Sequence, residues 1–482
     1  MSSRPPATLP LCVDCDGTLI HTDLLFESFL LLLKQDLLAA LAMPFWLLRH
    51  GKAATKLRIA ERVEIDVRTL PYCEEVVRYV SEQRAAGRRT ALVTASADRY
   101  AQDIAKHLGI FDEVMATTDA HVNLSGQHKA DRLTTHFGVR GFEYIGNSTD
   151  DLPVWQAAGQ VSVANASTQV TVAAGAIRPP TFLTASPFNP MRSAIKAMRL
   201  HQWLKNILVL LPLLAAHRAT DLHLLQQSLM AFLAFGLCAS SVYILNDMLD
   251  ITSDRRHGSK KNRPFAQGSL SIPAGAVLQL GLLGAALALA AQLPLAFLAV
   301  LLAYYAVTLS YSIKLKAQVI VDVMVLSGLY TMRILAGAAA TGIVPSFWLL
   351  TFSCFIFLSL ALVKRYAEMI SILKQKASRA AGRGYSTDDL VVLLALGAAS
   401  GYTAVLVLAL YVNSADVARM YPRPYMLWLV VPAMAYWISR VWLKTHRGEM
   451  NDDPVVFAAR DWQSQVIAVA LATFGILAST SP

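Results

Sequence analysis

The stretch Tyr243–Gly268, YILNDMLDITSDRRHGSKKNRPFAQG, closes an apolar run that begins near Leu224. It carries four side chains with oxygen atoms at spacings of three or four residues, which are Asn246, Asp247, Asp250 and Asp254. At those spacings a helix presents all four side chains on one face. Carboxylates at the end of a membrane helix are costly unless a cation compensates them, and hard oxygen ligands suit Mg²⁺. The stretch therefore predicts a Mg²⁺ site formed by the three aspartates.

A basic run follows the acids at once, and its members are Arg255, Arg256, Lys260, Lys261 and Arg263. Acids, a divalent metal and bases together suit a diphosphate, because Mg²⁺ bridges carboxylate and phosphate oxygens. We interpret Asp247 and Asp250 as catalytic residues, and Asn246 and Arg263 as substrate contacts. The alternative is a solvated, salt-bridged loop, but solvation does not require three acids on one helical face.

The pattern NDxxDxxxD followed by RPxxxG resembles the UbiA superfamily of membrane prenyltransferases, whose motif binds Mg²⁺ and diphosphate. Further stretches resemble its decaprenyl-phosphate 5-phosphoribosyltransferase branch, namely RLHQWLKN (Arg199–Asn206), YSIKLK (Tyr311–Lys316), Asp322 with RILAG (Arg333–Gly337), and LVKRYAE (Leu362–Glu368). The resemblance covers about Arg199 to the C-terminus. It implies Mg²⁺-dependent transfer of phosphoribose from phosphoribosyl diphosphate to a polyprenyl phosphate such as decaprenyl phosphate.

Phosphoribosyl diphosphate carries a second phosphate at C5, so its site needs more cations than the site of a prenyl diphosphate. We interpret Lys205, Arg263, Lys316 and Arg333 as substrate-binding residues. Arg333 lies inside a predicted span, where an unpaired cation is costly. Asp322 lies eleven residues earlier on nearly the same helical face, and we interpret it as a partner for Arg333 or for the acceptor.

Two other functions fit parts of this pattern. An aromatic-acceptor prenyltransferase, for quinone or haem-type acceptors, would keep the fold. Such members usually show a second DxxxD, whereas Leu326 stands four residues after Asp322.

A membrane-tethered lipid-binding scaffold would need none of the acid motifs. Lys364 and Arg365 fit a phosphate site or snorkelling cations equally well.

Composition separates two parts of the 482-residue chain. Hydrophobic residues make up 55% and charged residues 16% of it, which indicates a membrane protein. Residues up to about 175 alternate short apolar strands with polar helices, whereas the remainder consists mostly of long apolar runs. The net charge of +10 lies mainly beside predicted spans, so it indicates membrane topology and anionic phosphates rather than nucleic acid.

The N-terminal part predicts a doubly wound α/β domain. A strand over Leu9–Val13 ends in DCDGT, and further strands are predicted over Thr90–Thr94, Glu113–Ala116 and Glu143–Ile145. Acids at a strand end are typical of phosphate chemistry in such sheets. The segment Leu24–Arg49 predicts a helical cap, which either only packs on the domain or also lies on the bilayer surface.

DCDGT, TALVTAS, Lys129 in GQHKADRL, and GNSTDD resemble, in that order, the four motifs of haloacid dehalogenase-type phosphatases. The resemblance implies that Asp14 is the nucleophile and Asp16 the general acid/base. Thr94 and Lys129 would hold the phosphoryl group. The implied Mg²⁺ ligands are Asp14, Asp16, Asn147 and Asp151. Because the family commonly has Asp where this chain has Asn147, one negative charge is lost, and a degenerate pseudophosphatase is the alternative.

The proline-rich stretch Ile177–Pro190, IRPPTFLTASPFNP, predicts an interdomain linker. We therefore predict a phosphatase-like domain over 8–175, a linker over 176–192 and a transmembrane transferase domain over 193–482. The phosphatase-like domain would remove the 5-phosphate of the lipid-linked product.

About nine membrane spans are predicted, at 204–217, 223–248, 271–291, 294–311, 318–340, 345–363, 388–412, 424–443 and 463–480. The first is short and is broken by Pro212. Lysine and arginine concentrate in the loops after even-numbered spans, which predicts that these loops are cytoplasmic. The N-terminal domain would then lie on the cytoplasmic side of the cell (inner) membrane.

Overall fold

The computed structural model describes residues 9–374, 384–450 and 453–480. The chain forms two compact units that alternate along the sequence. The first contains Met1–Met198 and Tyr243–Gln279, and the second contains Arg199–Val242 and Leu280–Pro482. The acidic stretch at Tyr243–Gly268 therefore belongs to the same compact unit as the N-terminal domain.

A six-stranded parallel sheet forms the centre of the N-terminal domain. Its strands are β1 (Leu11–Val13), β2 (Thr90–Ala97), β3 (Glu113–Thr117), β4 (Glu143–Gly146), β5 (Gln160–Ala164) and β6 (Leu183–Thr184). The spatial order is β3-β2-β1-β4-β5-β6, and all neighbouring strands run parallel. The strand order reverses between β1 and β4, so the crevice at their carboxyl ends is the topological switch point. This architecture confirms the predicted doubly wound α/β fold.

Strand β1 is completely buried, because helices cover both faces of a parallel sheet. Leu11 and Val13 pack in the hydrophobic core on one face, and Cys12 packs in the core on the other. This alternation follows from the two-residue period of a strand. The first polar residue after the strand, Asp14, consequently stands at the carboxyl edge of the sheet.

Eight helices accompany the sheet. They are α1 (Leu24–Gln35), α2 (Leu37–Arg62), α3 (Glu74–Ala85), α4 (Asp98–Leu108), α5 (Gly126–Phe137), α6 (Leu152–Ala157), α7 (Thr168–Ile177) and α8 (Pro190–Ala197).

Helices α1 and α2 form the predicted cap. The segment is divided at Asp36, whose side chain accepts a hydrogen bond from the N–H of Ala39 and caps α2. Six large apolar side chains of α2 are exposed, namely Leu37, Leu38, Leu41, Phe45, Leu47 and Leu48. Within the cap the Phe45 ring contacts the guanidinium of Arg49, at 5.7 Å from its centroid, and the bilayer-surface hypothesis stays a prediction.

Part of the predicted linker belongs to the sheet. After α7 ends at Ile177, the main chain of Phe182 accepts a hydrogen bond from the N–H of Val163, and β6 pairs with β5. The prolines do not prevent this pairing, because they lie outside the two residues of the strand. The boundaries 8–175, 176–192 and 193–482 stay a prediction.

Eight helices in the described residues are long and apolar enough to cross a membrane once the short 3₁₀ turns before α16 and α18 are included. They are α10 (Leu222–Leu249), α12 (Ile272–Ala290), α13 (Leu295–Ile313), α14 (Val321–Thr341), α15 (Phe347–Lys374), α16 (Leu390–Val412), α18 (Val430–His446) and α20 (Trp462–Ser479). Four short helices occur between them or before them, and these are α9 (Leu211–Ala215), α11 (Ile251–Arg255), α17 (Ala415–Met420) and α19 (Pro454–Arg460). The helices confirm the predicted all-α polytopic membrane domain.

The first predicted span, 204–217, is not a long α-helix. A 3₁₀ helix over Leu200–Leu210 leads into the five-residue α9, which has Pro212 in its first turn. Proline fits the first turn of an α-helix but not its interior, because it lacks an N–H and its ring clashes with the preceding turn. For the described residues, the predicted count of about nine long spans is therefore corrected to eight.

Gly337 brings α14 against the 3₁₀ helix. A Cβ atom at this position would lie only 1.8 Å from the carbonyl oxygen of Val209. Small residues allow such close backbone approach between helices in a membrane. The glycine of the RILAG stretch therefore has a packing role.

Candidate active sites

The first candidate site lies at the carboxyl end of β1. Asp14 follows the strand directly, and its N–H donates to the carbonyl oxygen of Ile145 at 3.0 Å. The ammonium of Lys129, from α5, donates to Asp14 Oδ1 at 2.7 Å. The side chains of Lys129 and Asp14 are 4% and 11% exposed. Each is therefore the main compensation for the charge of the other.

Tyr144 extends this ion pair into a network. Its hydroxyl accepts a hydrogen bond from Lys129 at 2.8 Å and donates to Asp151 Oδ1 at 2.8 Å. The other oxygen of Asp151 accepts the N–H groups of Asn147 and Ser148 at 2.9 and 3.0 Å. Sequence reasoning missed Tyr144, because a tyrosine within a buried strand carries no signal beyond that of a core residue.

Asp16 is held by two donors from different elements. Its Oδ1 accepts the N–H of Leu24, the first residue of α1, at 2.8 Å, and its Oδ2 accepts the hydroxyl of Ser96 at 2.6 Å. Thr94 is fully buried within β2, and its Oγ1 accepts the N–H of Ser96 at 3.0 Å. The structure thus connects Thr94 to Asp16 through Ser96.

Gly17 allows Asn147 to approach the DCDGT loop. Its φ is +75°, and a Cβ atom there would lie 2.1 Å from Asn147 Nδ2. Glycine is required both by the backbone conformation and by this contact. The structure therefore brings Asn147 to the loop that carries Asp14 and Asp16.

Burial determines the protonation of the two loop acids. Burial raises the pKa of Asp14 to about 7, with Lys129 opposing the increase and Asp151 adding to it. Burial, and then the charge of Asp23, raises the pKa of Asp16 to about 6. A carboxyl group with a pKa near the operating pH can both give and take a proton, as a general acid/base must.

The second candidate site is the acidic stretch. Helix α10 ends at Leu249, yet the N–H of Asp250 still donates to the carbonyl of Asn246, and the N–H of Asp254 to that of Asp250. The helical path therefore continues through the break into α11. Asp247 and Asp254 share one side of this path, since Arg263 Nη1 lies 3.1 Å from Asp247 Oδ1 and 2.7 Å from Asp254 Oδ2.

Two of the three acids of this stretch are withdrawn from solvent. Asp247 and Asp254 are buried, and burial raises the pKa of Asp254 against the opposing charge of Arg263. Lys34 of α1 lies 3.1 Å from Asp250 Oδ1. Asn246 Oδ1 is buried and has no hydrogen-bond partner in the described part of the chain.

The donor chemistry of the acidic stretch suits Mg²⁺. Its ligating atoms are all oxygens, and the unpartnered Asn246 Oδ1 lies in the same stretch as three carboxylates. Across residues 9–374, 384–450 and 453–480, no three carboxylate, histidine or cysteine groups converge as a ready-made metal site. We call the first candidate site, at the carboxyl end of β1, the sheet site. There both oxygens of Asp151 accept hydrogen bonds from the protein, so a metal ion would share Asp151 with these donors.

Arg333 is enclosed by aromatic rings in the second compact unit. Its guanidinium lies 5.3–5.4 Å from the ring centroids of Phe235, Tyr304 and Tyr330. Its Nε donates to Asn206 Oδ1 at 3.0 Å. Cation–π and hydrogen-bonding contacts thus compensate a cation inside a membrane helix.

Asp322 has partners from other elements. Arg365 of α15 binds one of its oxygens, and the hydroxyl of Tyr385 donates to the other at 2.6 Å. The eleven residues between Asp322 and Arg333 correspond to about 16 Å along a helix, beyond the reach of a direct ion pair. Arg365 is fully buried, so it is not a snorkelling cation.

Lys205 pairs with Asp453, and its ammonium lies 5.6 Å from the ring centroid of Tyr330. Asp453 also accepts the N–H of Val455 at 3.1 Å, at the start of α19. Sequence reasoning missed Asp453, which sits in a loop without a distinguishing motif. Lys316 is half-buried in the 3₁₀ turn after α13.

A largely apolar groove opens in the same unit. Its volume is about 400 Å³, and it is lined by Leu200, His201, Trp203, Leu204, Ile207, Phe232, Val456, Ala459 and Arg460. His201 and Arg460 are the polar residues of this lining, and the other seven residues are apolar.

Comparison with known proteins relates both parts of the chain to families. The model of the UbiA prenyltransferase family matches residues 207–464. The model of haloacid dehalogenase-like hydrolases matches residues 11–156.

The curated relatives that align with the chain include the following three. An uncharacterized protein, y4nM, of Sinorhizobium fredii is 35% identical over 98% of this chain and 91% of its own length. The nodulation protein NoeC of Azorhizobium caulinodans is 37% identical over 59% of this chain and 92% of its own length. Decaprenyl-phosphate phosphoribosyltransferase of Mycobacterium tuberculosis is 38% identical over 39% of this chain and 63% of its own length.

Proposed function

The chain belongs to the UbiA prenyltransferase family and carries an N-terminal haloacid dehalogenase-like domain, and we propose that it transfers 5-phosphoribose from phosphoribosyl diphosphate to a polyprenyl phosphate. The observation that carries this proposal is the acidic stretch, where Arg263 bridges Asp247 and Asp254 beside the unpartnered oxygen of Asn246. The mycobacterial relative supports the choice of donor and acceptor.

The donor diphosphate is proposed to bind at the acidic stretch. Asn246, Asp247, Asp250 and Asp254 would hold Mg²⁺, which when bound neutralises charge on the leaving pyrophosphate. Arg263 would stabilise the same charge by charge-assisted hydrogen bonds. The acceptor phosphate is already anionic at neutral pH, so its attack on C1 of ribose needs no strong general base.

Cations of the second unit are proposed to bind substrate phosphates. Lys205, Lys316 and Arg333 are the residues concerned, and aromatic contacts already orient Lys205 and Arg333. The isoprenoid part of the acceptor would lie in the apolar groove, because most of the residues that line it are apolar, while Arg460 offers a cationic contact. Asp322 is proposed to act through Arg365, whose side chain it fixes.

The N-terminal domain is proposed to remove the 5-phosphate of the lipid-linked product. Asp14 attacks phosphorus and forms an aspartyl phosphate, while Asp16 protonates the leaving ribose oxygen. Asp16 then takes a proton from the water that releases phosphate, which suits its raised pKa. Lys129 and Thr94 would orient the phosphoryl group. Tethering in one chain would give an effective product concentration on the order of millimolar.

The protein is a multi-pass membrane protein, and we propose that it lies in the inner membrane with its N-terminal domain in the cytoplasm. The 3₁₀ helix rises about 2.0 Å per residue and α9 about 1.5 Å, so Leu200–Ala215 spans roughly 30 Å, the thickness of the hydrocarbon core. This segment would therefore add a ninth crossing to the eight long helices. A reporter after Pro482 should then lie outside the cytoplasm.

Radiolabelled phosphoribosyl diphosphate and polyprenyl phosphate, incubated with membranes that contain the protein, test both steps. Unmodified protein should yield polyprenyl-phosphoryl-ribose, and Asp14→Asn protein should accumulate its 5-phosphate. Absence of labelled lipid in both would contradict the transferase. Identical lipids from both proteins would contradict the phosphatase step alone.

A further inference from the structure

Helix α1 connects the two acidic sites of the first compact unit. At its first residue, the N–H of Leu24 holds Asp16 of the sheet site. One turn later, Glu27 binds Arg255, which ends α11 in the acidic stretch. The two contacts lie one turn apart on α1, which is about 5 Å along its axis.

The ion pair of Glu27 and Arg255 is buried and bidentate. Arg255 Nη1 lies 2.9 Å from Glu27 Oε2, and Nη2 lies 2.5 Å from Oε1. The two side chains are only 5% and 6% exposed. Arg255 Nε also donates to the carbonyl oxygen of Ala266 at 2.8 Å, so one guanidinium ties α1 to both ends of the basic loop. Such a pair fixes orientation, and losing one charge leaves the other uncompensated in the interior.

Two further contacts join α1 and the segment before it to the acidic stretch. Lys34, at the last turn of α1, lies 3.1 Å from Asp250 Oδ1. Gly268 has φ +75°, and a Cβ atom there would lie 2.4 Å from the carbonyl oxygen of His21. The loop that follows the acids is thus in backbone contact with the segment that precedes α1.

We propose that Glu27 is a positioning residue for the transferase, and that the phosphatase-like domain holds the acidic stretch in its working arrangement through Arg255. Phosphoribosyl transfer then requires the folded domain even when the chemistry of that domain has been removed. This inference rests on the proposed function in one respect, namely that the acidic stretch binds the donor. It goes beyond that function because it gives the domain a second role, independent of hydrolysis.

The test compares four variants of the full-length protein, one of which is the conservative Glu27→Asp. Glu27→Gln keeps the shape of the side chain and removes its charge. Asp14→Asn removes the phosphatase nucleophile and leaves α1 intact. Asp66→Asn is the matched control, because Asp66 binds Arg256, the neighbour of Arg255, in a pair of which the arginine is 60% exposed.

Glu27→Gln should lower kcat/KM for phosphoribosyl transfer about 10-fold or more, through higher half-saturating concentrations of donor and of Mg²⁺, because a buried arginine loses its counter-charge. Asp66→Asn should stay within about 2-fold, as expected for an exposed pair. Asp14→Asn should retain transfer while losing hydrolysis of p-nitrophenyl phosphate. The conservative Glu27→Asp should recover part of the loss, since it restores the charge.

Hydrogen–deuterium exchange supplies a readout that does not depend on activity. Amides of residues 251–268 should exchange faster in Glu27→Gln than in unmodified protein, and not in Asp66→Asn. Unchanged exchange in Glu27→Gln would overturn the proposal, as would transfer within about 2-fold of the unmodified rate, the level expected for an exposed pair. If unmodified protein transferred no phosphoribose, the proposed function would fail, and the exchange experiment would still decide whether Glu27 holds the stretch.

Discussion

The sheet site and the acidic stretch solve the same electrostatic problem with different architecture. In the sheet site, Asp14 and Asp151 are far apart in sequence and meet because β1 and β4 are neighbours, and Lys129 lies within 4 Å of both. In the acidic stretch, Asp247 and Asp254 belong to one helical path, and Arg263 bridges them.

The difference explains how each site is held in place. Tyr144 and main-chain N–H groups bind Asp151, so the sheet site is ordered by its own domain. The acidic stretch lies where α10 gives way to α11, and its anchors, Glu27 and Lys34, come from another part of the chain. A site built on sheet edges is therefore self-supporting, whereas a site at a helix break relies on partners.

Asp247→Ala should have the largest effect. It removes a buried carboxylate from the acidic stretch, and we expect transfer to fall about 10²–10³-fold. Hydrolysis of p-nitrophenyl phosphate should persist, since the sheet site keeps its residues. Asp221→Ala is the control, because Asp221 lies just before the same helix in an exposed pair with Arg218. Near-normal Mg²⁺-dependent transfer by Asp247→Ala would show that the stretch does not bind the donor.

Tyr144→Phe tests the self-supporting character of the sheet site. The variant loses the hydroxyl that joins Lys129 to Asp151 while keeping the ring, so we expect hydrolysis to fall roughly 10–100-fold. Phosphoribosyl transfer, measured on the same preparation, should not change. A hydrolysis rate equal to that of unmodified protein would mean that Lys129 and Asp151 are oriented without Tyr144.

Arg263→Lys asks whether the bridge in the acidic stretch needs the planar fork of arginine. Lysine supplies the same charge as a single point and cannot match two carboxylates equally well. We expect the half-saturating donor concentration to rise about 10-fold, with a smaller change in kcat. Lys261→Arg is the control, because it exchanges one cation for another in the same loop. A pure loss of kcat would assign Arg263 to the leaving group rather than to donor binding.

Asn147→Asp should have the smallest effect. It restores the carboxylate that haloacid dehalogenase-type phosphatases commonly have at this place, so less Mg²⁺ should be needed for half-maximal hydrolysis, by about 2–5-fold. The added charge also faces the loop of Asp16, whose pKa is already raised, so the acid limb of the pH profile should move to higher pH. No shift in Mg²⁺ dependence would mean that Asn147 does not contact the metal.

Local spacing in the sequence was enough to predict the features that depend on neighbouring residues. The three- and four-residue spacing from Asn246 to Asp254 placed these groups on one face, and Arg263 bears this out by touching two of them. Four of the six parallel strands and most long apolar helices were predicted, because their periodicity and length are local properties, whereas β5 and β6 were not predicted. Pro212 explains the exception, since one residue without an N–H prevents a regular helix through the first predicted span.

The partners of the charged groups were decided only by the tertiary structure. Asp322 faces Arg365 and Tyr385, Lys205 faces Asp453, and Glu27 faces Arg255, and none of these pairs has a spacing that a helix or strand would impose. A buried charge needs a counter-charge. A charged residue in an apolar segment therefore predicts that a partner exists, but the sequence does not identify that partner. The tertiary packing determines the partner, because it decides which side chains that are distant in sequence are buried next to each other.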